Sequence, residues 1–158
     1  MVSRREISPT HENKDELIDV EVDMFDWKEV KAPQVGGIVG LGPCAGIIIA
    51  DRSKKLAFIG HFPEPHMGNA DEMVETVVGR YRNKTMLKVF LGGLGPGPDK
   101  NDDTRDENRS ALVDLLLRNG FENRQIYLRW LEGNESTVMS IDTNSGLVNY
   151  DTEKTDEL

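Results

Sequence analysis

The chain has 158 residues, 37% hydrophobic and 30% charged, with a formal net charge of −9. That length suits one domain with a sizeable core, and the acidic balance argues against a phosphate backbone as partner, so no nucleic-acid binding is expected. No apolar run approaches the roughly 20 residues of a membrane span, Met1–Glu6 is basic with no apolar stretch behind it, and one cysteine cannot form an internal disulfide. The expectation is a cytoplasmic protein without membrane insertion and without a cofactor.

In chain order, residues 1–18 are polar and aperiodic and read as a mobile N-terminal arm. Asp19–Phe25 alternates polar and apolar residues, as a half-exposed strand does, and Trp27 and Val30 follow as residues that pack inward. Val35–Gly42 is glycine-dense and apolar, which predicts backbone in close contact with another element. Ala45–Ala50 and Lys55–Gly60 are two apolar runs around the polar Asp51–Lys54, a β-hairpin pattern. Pro63 and Pro65 make Phe62–Gly68 a loop. Asn69 is placed to cap a helix reaching about Asn83, with Met73, Val74, Val77, Val78 and Tyr81 as its buried stripe.

Thr85–Leu91 reads as a strand entering the loop Gly92–Pro98, and a second helix runs from about Thr104 to a stop before Gly120. Arg124–Leu131 and Ser136–Asp142 flank Glu132–Glu135 as a second hairpin. A turn at Asn144–Gly146 precedes Leu147–Tyr150, and 151–158 reads as a charged tail. Strands with two helices inserted among them, lacking βαβ regularity, predict an α+β domain over residues 19–150, with mixed and antiparallel sheets in layers covered by two main helices.

The candidate chemistry lies in the first hairpin. Cys44 precedes His61 by seventeen residues. A turn centred between Arg52 and Ser53 would set the two directly opposite each other on one face, with β-carbons about 4.5–5.5 Å apart. A histidine beside a cysteine can take the thiol proton and stabilise the resulting ion pair, the minimum apparatus of a cysteine nucleophile. Gly40, Gly42 and Cys44 could present backbone N–H groups to an oxyanion, whereas Pro43 has none to give.

Three competing signals are weaker. Gly40-x-Gly42-x-x-Ala45 has dinucleotide-fingerprint spacing but leads into the strand-like Ile47–Ile49 rather than a helix. Gly92–Gly97 lacks the Lys-Ser/Thr of a phosphate loop. Cys44, His61, Glu64 and His66 offer zinc-ligand types, but the prolines between them fit no ligand spacing, so no metal is expected.

Val39-Gly40-Leu41-Gly42-Pro43-Cys44-Ala45-Gly46, the Asp51 turn and Gly60-His61-Phe62 together resemble the CheD family of chemoreceptor glutamine deamidases. The resemblance extends to Lys88–Gly93, to the helix from Asn108 and Arg109 to Gly120, and to the closing strands within Ile126–Val148. It implies a fold shared with deamidating bacterial toxins and an activity that hydrolyses glutamine side chains of a protein substrate, such as a chemoreceptor or another signalling protein. It implies Cys44 as nucleophile, His61 as general base, and Gly92 and Gly93 bordering the substrate groove. The family's orienting threonine falls on Ile38, which has no hydroxyl, and its serine before the cysteine falls on Pro43. These departures leave a rival reading open, a catalytically impaired protein-binding module on the same scaffold.

Overall fold

The computed structural model describes residues 18–63, 69–96 and 102–154. Among these residues nine strands form two sheets, and two α-helices cover one of them: β1 (Val20–Glu21), β2 (Asp26–Lys31), β3 (Val35–Leu41), β4 (Ala45–Asp51), β5 (Leu56–Phe62), α1 (Ala70–Gly79), β6 (Leu87–Gly93), α2 (Asp102–Arg118), β7 (Ile126–Trp130), β8 (Glu135–Asp142) and β9 (Leu147–Lys154). One sheet has the order β2-β5-β4-β6-β7, antiparallel except for the β6–β7 pair; the other has the order β1-β3-β8-β9. This is the α+β architecture expected from the sequence.

The central strand β4 explains the layering. All seven of its residues are buried, because both faces of its sheet are covered. Ala45, Ile47 and Ile49 face a core shared with Phe58, Phe62, Met73, Val77, Leu91, Leu112 and Leu116, which brings both helices onto that side. Ile48 and Ala50 face the opposite core, with Ile59, Phe90, Ile38, Leu41, Met139 and Tyr150, where the second sheet packs. The glycine-dense β3 does meet close backbone: a β-carbon on Gly37 would lie 2.8 Å from the Met139 carbonyl.

Several boundaries differ from the sequence expectation. The strand predicted over Asp19–Phe25 stops at Glu21, because the chain turns at Asp23–Asp26, where the Asp26 N–H donates to the Asp23 carbonyl, and crosses into the other sheet as β2. Helix α1 ends at Gly79 rather than Asn83. Its last turn tightens through Arg80 N–H to Val77 and Tyr81 N–H to Val78, and Tyr81 leaves to donate its hydroxyl proton to Asp51 Oδ2 at 2.8 Å. Asn69 caps without a side-chain bond; its amide instead donates to the Phe25 carbonyl.

The predicted second hairpin does not form. Its first arm, β7, pairs in parallel with β6, while β8 lies in the other sheet, so Leu131–Asn134 is a crossing between layers. β9 continues to Lys154, beyond the expected start of the charged tail, because Asp151–Lys154 pairs with Glu135–Val138. Residues 1–17 of the expected arm and 155–158 of the tail lie outside the described residues, as do Glu64 and His66.

Candidate active site at the end of the central hairpin

The first hairpin forms, but its register differs by two residues from the expected one. His61 pairs with Gly46, not with Cys44. The cause is Asp51, whose Oδ1 accepts the Ser53 hydroxyl at 2.7 Å and the Lys54 N–H at 3.1 Å. This builds a four-residue turn over Arg52–Lys55 with Lys55 at φ 54°. Burial works against ionising Asp51, but the hydrogen bonds from Ser53, Tyr81 and Lys54 outweigh it and hold the carboxyl below its ordinary range. Cys44 therefore lies two residues before Gly46, the partner of His61, just outside β4, and it packs on the intersheet side of the sheet that His61 also faces.

His61 is 7% exposed and held from several sides. Its Nδ1 lies 3.2 Å from the Val22 carbonyl oxygen. A carbonyl only accepts, so this bond puts a proton on Nδ1, and in the neutral ring Nε2 is then the acceptor nitrogen. The His61 main chain is also tied down, since the Phe25 N–H donates to its carbonyl at 2.7 Å and Asp26 pairs with it from β2. Val22 is fixed in turn, its N–H donating to the Gly37 carbonyl at 2.9 Å. Nε2 is buried and has no hydrogen-bond partner among the described residues, Cys44 included.

Ile38, at the place of the family's threonine, is wholly buried and packs with Leu41 and Met139 over Gly46; a β-carbon on Gly46 would lie 2.7–3.1 Å from these three side chains. The group bound to His61 Nδ1 is the Val22 main-chain carbonyl and not a side-chain hydroxyl.

Cys44 is half-buried against the intersheet core, and burial pushes its thiol above the ordinary cysteine range. The thiol thus keeps its proton at rest and has no hydrogen bond to the imidazole, in contrast to the ion pair expected from the sequence. The backbone around it is tightly organised. The N–H of Leu94 donates to the Cys44 carbonyl and that of Gly95 to the Gly42 carbonyl, both at 2.9 Å. Gly93 has φ 86°, and a β-carbon there would collide with the Cys44 carbonyl oxygen, so only glycine fits. Gly92 pairs with Gly46.

The N–H groups of Gly42 and Cys44 donate no turn or loop hydrogen bond among the described residues. Gly40 lies apart from that pair, exposed in the irregularity between Ile38 and Leu41. The structure brings together Cys44, His61, Gly42, Gly92 and Gly93, and adds Val22, Leu94 and Gly95. These additions act through main-chain atoms, and their side chains carry no signal for the role. Among the described residues no group of three or more His, Cys, Asp or Glu is placed to hold a metal, and no helix is long and apolar enough to cross a membrane.

No family model matches the chain, and no curated protein matches it. Among solved structures it is similar to a hypothetical protein, YfiH, of Bacillus licheniformis, with a TM-score of 0.50 and 16% sequence identity over 65% of this chain and 49% of that one. The chain therefore spans about half the length of that neighbour, and at such identity the likeness concerns the fold alone.

Proposed function

We propose that the protein is a cysteine-dependent amidohydrolase that deamidates glutamine side chains of a protein substrate. The observation that carries this reading is His61 Nε2, a buried acceptor without a partner, oriented by the Val22 carbonyl and on the same sheet face as Cys44. The resemblance of the segments around Cys44 and His61 to CheD deamidases supplies the substrate class, with chemoreceptors or other signalling proteins as first candidates. The single unpaired cysteine supports a cytoplasmic setting.

In the proposed reaction the Cys44 sulfur attacks the carboxamide carbon as its proton passes to His61 Nε2. The carbonyl π electrons move onto oxygen, which the N–H groups of Gly42 and Cys44 stabilise. The C–N bond then breaks and His61 returns the proton to departing ammonia, leaving a thioester. Water attacks that carbon while giving a proton to Nε2. The C–S bond breaks, the proton returns to sulfur, and the product is glutamate. No cofactor enters this sequence.

A second reading, a protein-binding module that has lost catalysis, is favoured by the raised, unpaired thiol and by Ile38 at the family's threonine position. Peptide mass mapping of candidate receptor and signalling proteins after incubation separates the two. Deamidation expects glutamine-to-glutamate conversion with the wild type and none with Cys44→Ala. The same product pattern from both proteins supports the binding module.

A further inference from the structure

We infer that Arg109 is a positioning residue for the oxyanion site, acting from helix α2 through the loop that backs Cys44; this rests on the proposed cysteine chemistry. The argument begins where β6 and β7 end. The pairing of these parallel strands ends at Gly93 and Trp130. Arg109 spans the two exits. Its Nε donates to the Leu94 carbonyl at 3.0 Å and its Nη2 to the Leu131 carbonyl at 2.8 Å, while the Leu131 N–H donates to the Gly93 carbonyl at 3.0 Å. The guanidinium lies 5.4 Å from the centre of the Trp130 ring, with Glu132 Oε2 3.6 Å from Nη1 at the exposed edge. A planar fork with diverging donors suits this bridging geometry, whereas a lysine ammonium has no comparable fixed fork.

What the fork holds is the segment whose N–H groups grip the nucleophile turn. Leu94 and Gly95 bond the carbonyls of Cys44 and Gly42. These carbonyls lie on either side of the Pro43–Cys44 peptide, which carries the Cys44 N–H. Fixing both neighbours limits rotation of that peptide and so fixes the direction of the proposed oxyanion donor. Leu94 itself sits at φ 47°, so the loop adopts a backbone conformation that L side chains disfavour and that its surroundings must maintain. Arg109 binds the carbonyl of that same residue.

The test compares two reactions at one sulfur. Iodoacetamide alkylation displaces iodide and forms no oxyanion at the site. A glutamine-type peptide with an aldehyde in place of the side-chain carboxamide adds the Cys44 thiol across its carbonyl, giving a hemithioacetal whose oxygen occupies the donor pocket. For Arg109→Ala, kcat is expected to fall about 10²-fold with little change in KM, since a displacement of about 1 Å at such a site has that effect. Aldehyde affinity falls in parallel, and the alkylation rate stays at the wild-type value.

Should Arg109→Ala fail to fold, Arg109→Lys carries the test and is expected to show the same split in weaker form. Glu132→Gln, which leaves both carbonyl bonds in place, is expected to match the wild type in all three readouts. Wild-type kcat and aldehyde affinity in a folded Arg109 variant overturn the inference. So does an equal loss of turnover, alkylation rate and melting temperature, which assigns Arg109 to general stability. If the wild type neither turns over amide nor captures the aldehyde, the proposed reaction itself fails first, and the inference with it.

Discussion

The two halves of the candidate site are built differently. The His61 half is complete at rest: the residue lies between β2 and β4, its main chain takes the Phe25 N–H, and Nδ1 is bound to Val22. The Cys44 half is fixed only from behind. Its carbonyl is gripped by Leu94, whereas its thiol is half-buried, protonated by virtue of that burial, and not bonded to the imidazole. The contrast means, on the proposed reading, that the base is oriented in advance and the nucleophile is not yet activated. On the proposed reading, proton transfer belongs to the moment of attack, when an electrophilic carbon lowers the cost of generating the thiolate.

Substitutions in the two halves separate this account from its rivals. The largest effect belongs to the reacting pair. Cys44→Ala is expected to reduce glutamine deamidation to background, and His61→Ala to lower turnover by about 10²–10⁴-fold, measured by ammonia release. Equal turnover by wild type and His61→Ala would show that the oriented imidazole is idle.

Next comes the support behind Cys44. Gly93→Ala combines a left-handed backbone with a collision against the Cys44 carbonyl and is expected to cost about 2–5 kcal/mol in urea unfolding. A neutral outcome there would mean that the β6 exit is not held as described. Ile38→Thr restores the family's hydroxyl yet should bring no gain in turnover, because Nδ1 already has the Val22 carbonyl. Its expected signature is a loss of about 1–3 kcal/mol from a hydroxyl buried in an apolar core. A rise in turnover would place the orienting group on β3 instead.

The smallest effect is a matter of sign. Because burial raises the Cys44 pKa, alkylation in the free protein should have its midpoint above the value of about 8.5 for an ordinary cysteine. His61→Ala should barely move it, as no hydrogen bond joins the two. The linkage runs the same way: the folded state holds the thiol proton more tightly than the unfolded chain, so this contribution to stability is complete below the ordinary cysteine pKa and is lost as pH rises through the raised one. A midpoint well below 8.5 would restore the resting ion pair.

Fold class was legible because the apolar runs and glycine punctuation report local structure. Ile47–Ile49 and Leu56–Ile59 form a hairpin on composition alone, and Gly120, at φ 96°, does mark the end of α2. Register was not legible, since it depends on whether Asp51 organises a longer turn, and one carboxylate among several polar turn residues does not declare that role. The partition into sheets escaped for a related reason. β7 and β8 read as a hairpin because their separation is short, and only the parallel pairing with β6 reveals a layer crossing. At the site, Cys44 and His61 stand out by residue type and spacing. Val22, Leu94 and Gly95 contribute through carbonyl and N–H groups that every residue possesses, so no side chain announces them. Arg109 carries a distinctive side chain, but its partners are the carbonyls of Leu94 and Leu131, which only the fold brings within reach.

The most direct test of a base oriented in advance is the protonation state of the His61 ring at neutral pH, read from long-range ¹⁵N–¹H correlations. The account predicts that the neutral ring carries its proton on Nδ1 and leaves Nε2 unprotonated. A proton on Nε2 in the neutral ring would contradict it, because that nitrogen could then accept nothing from Cys44.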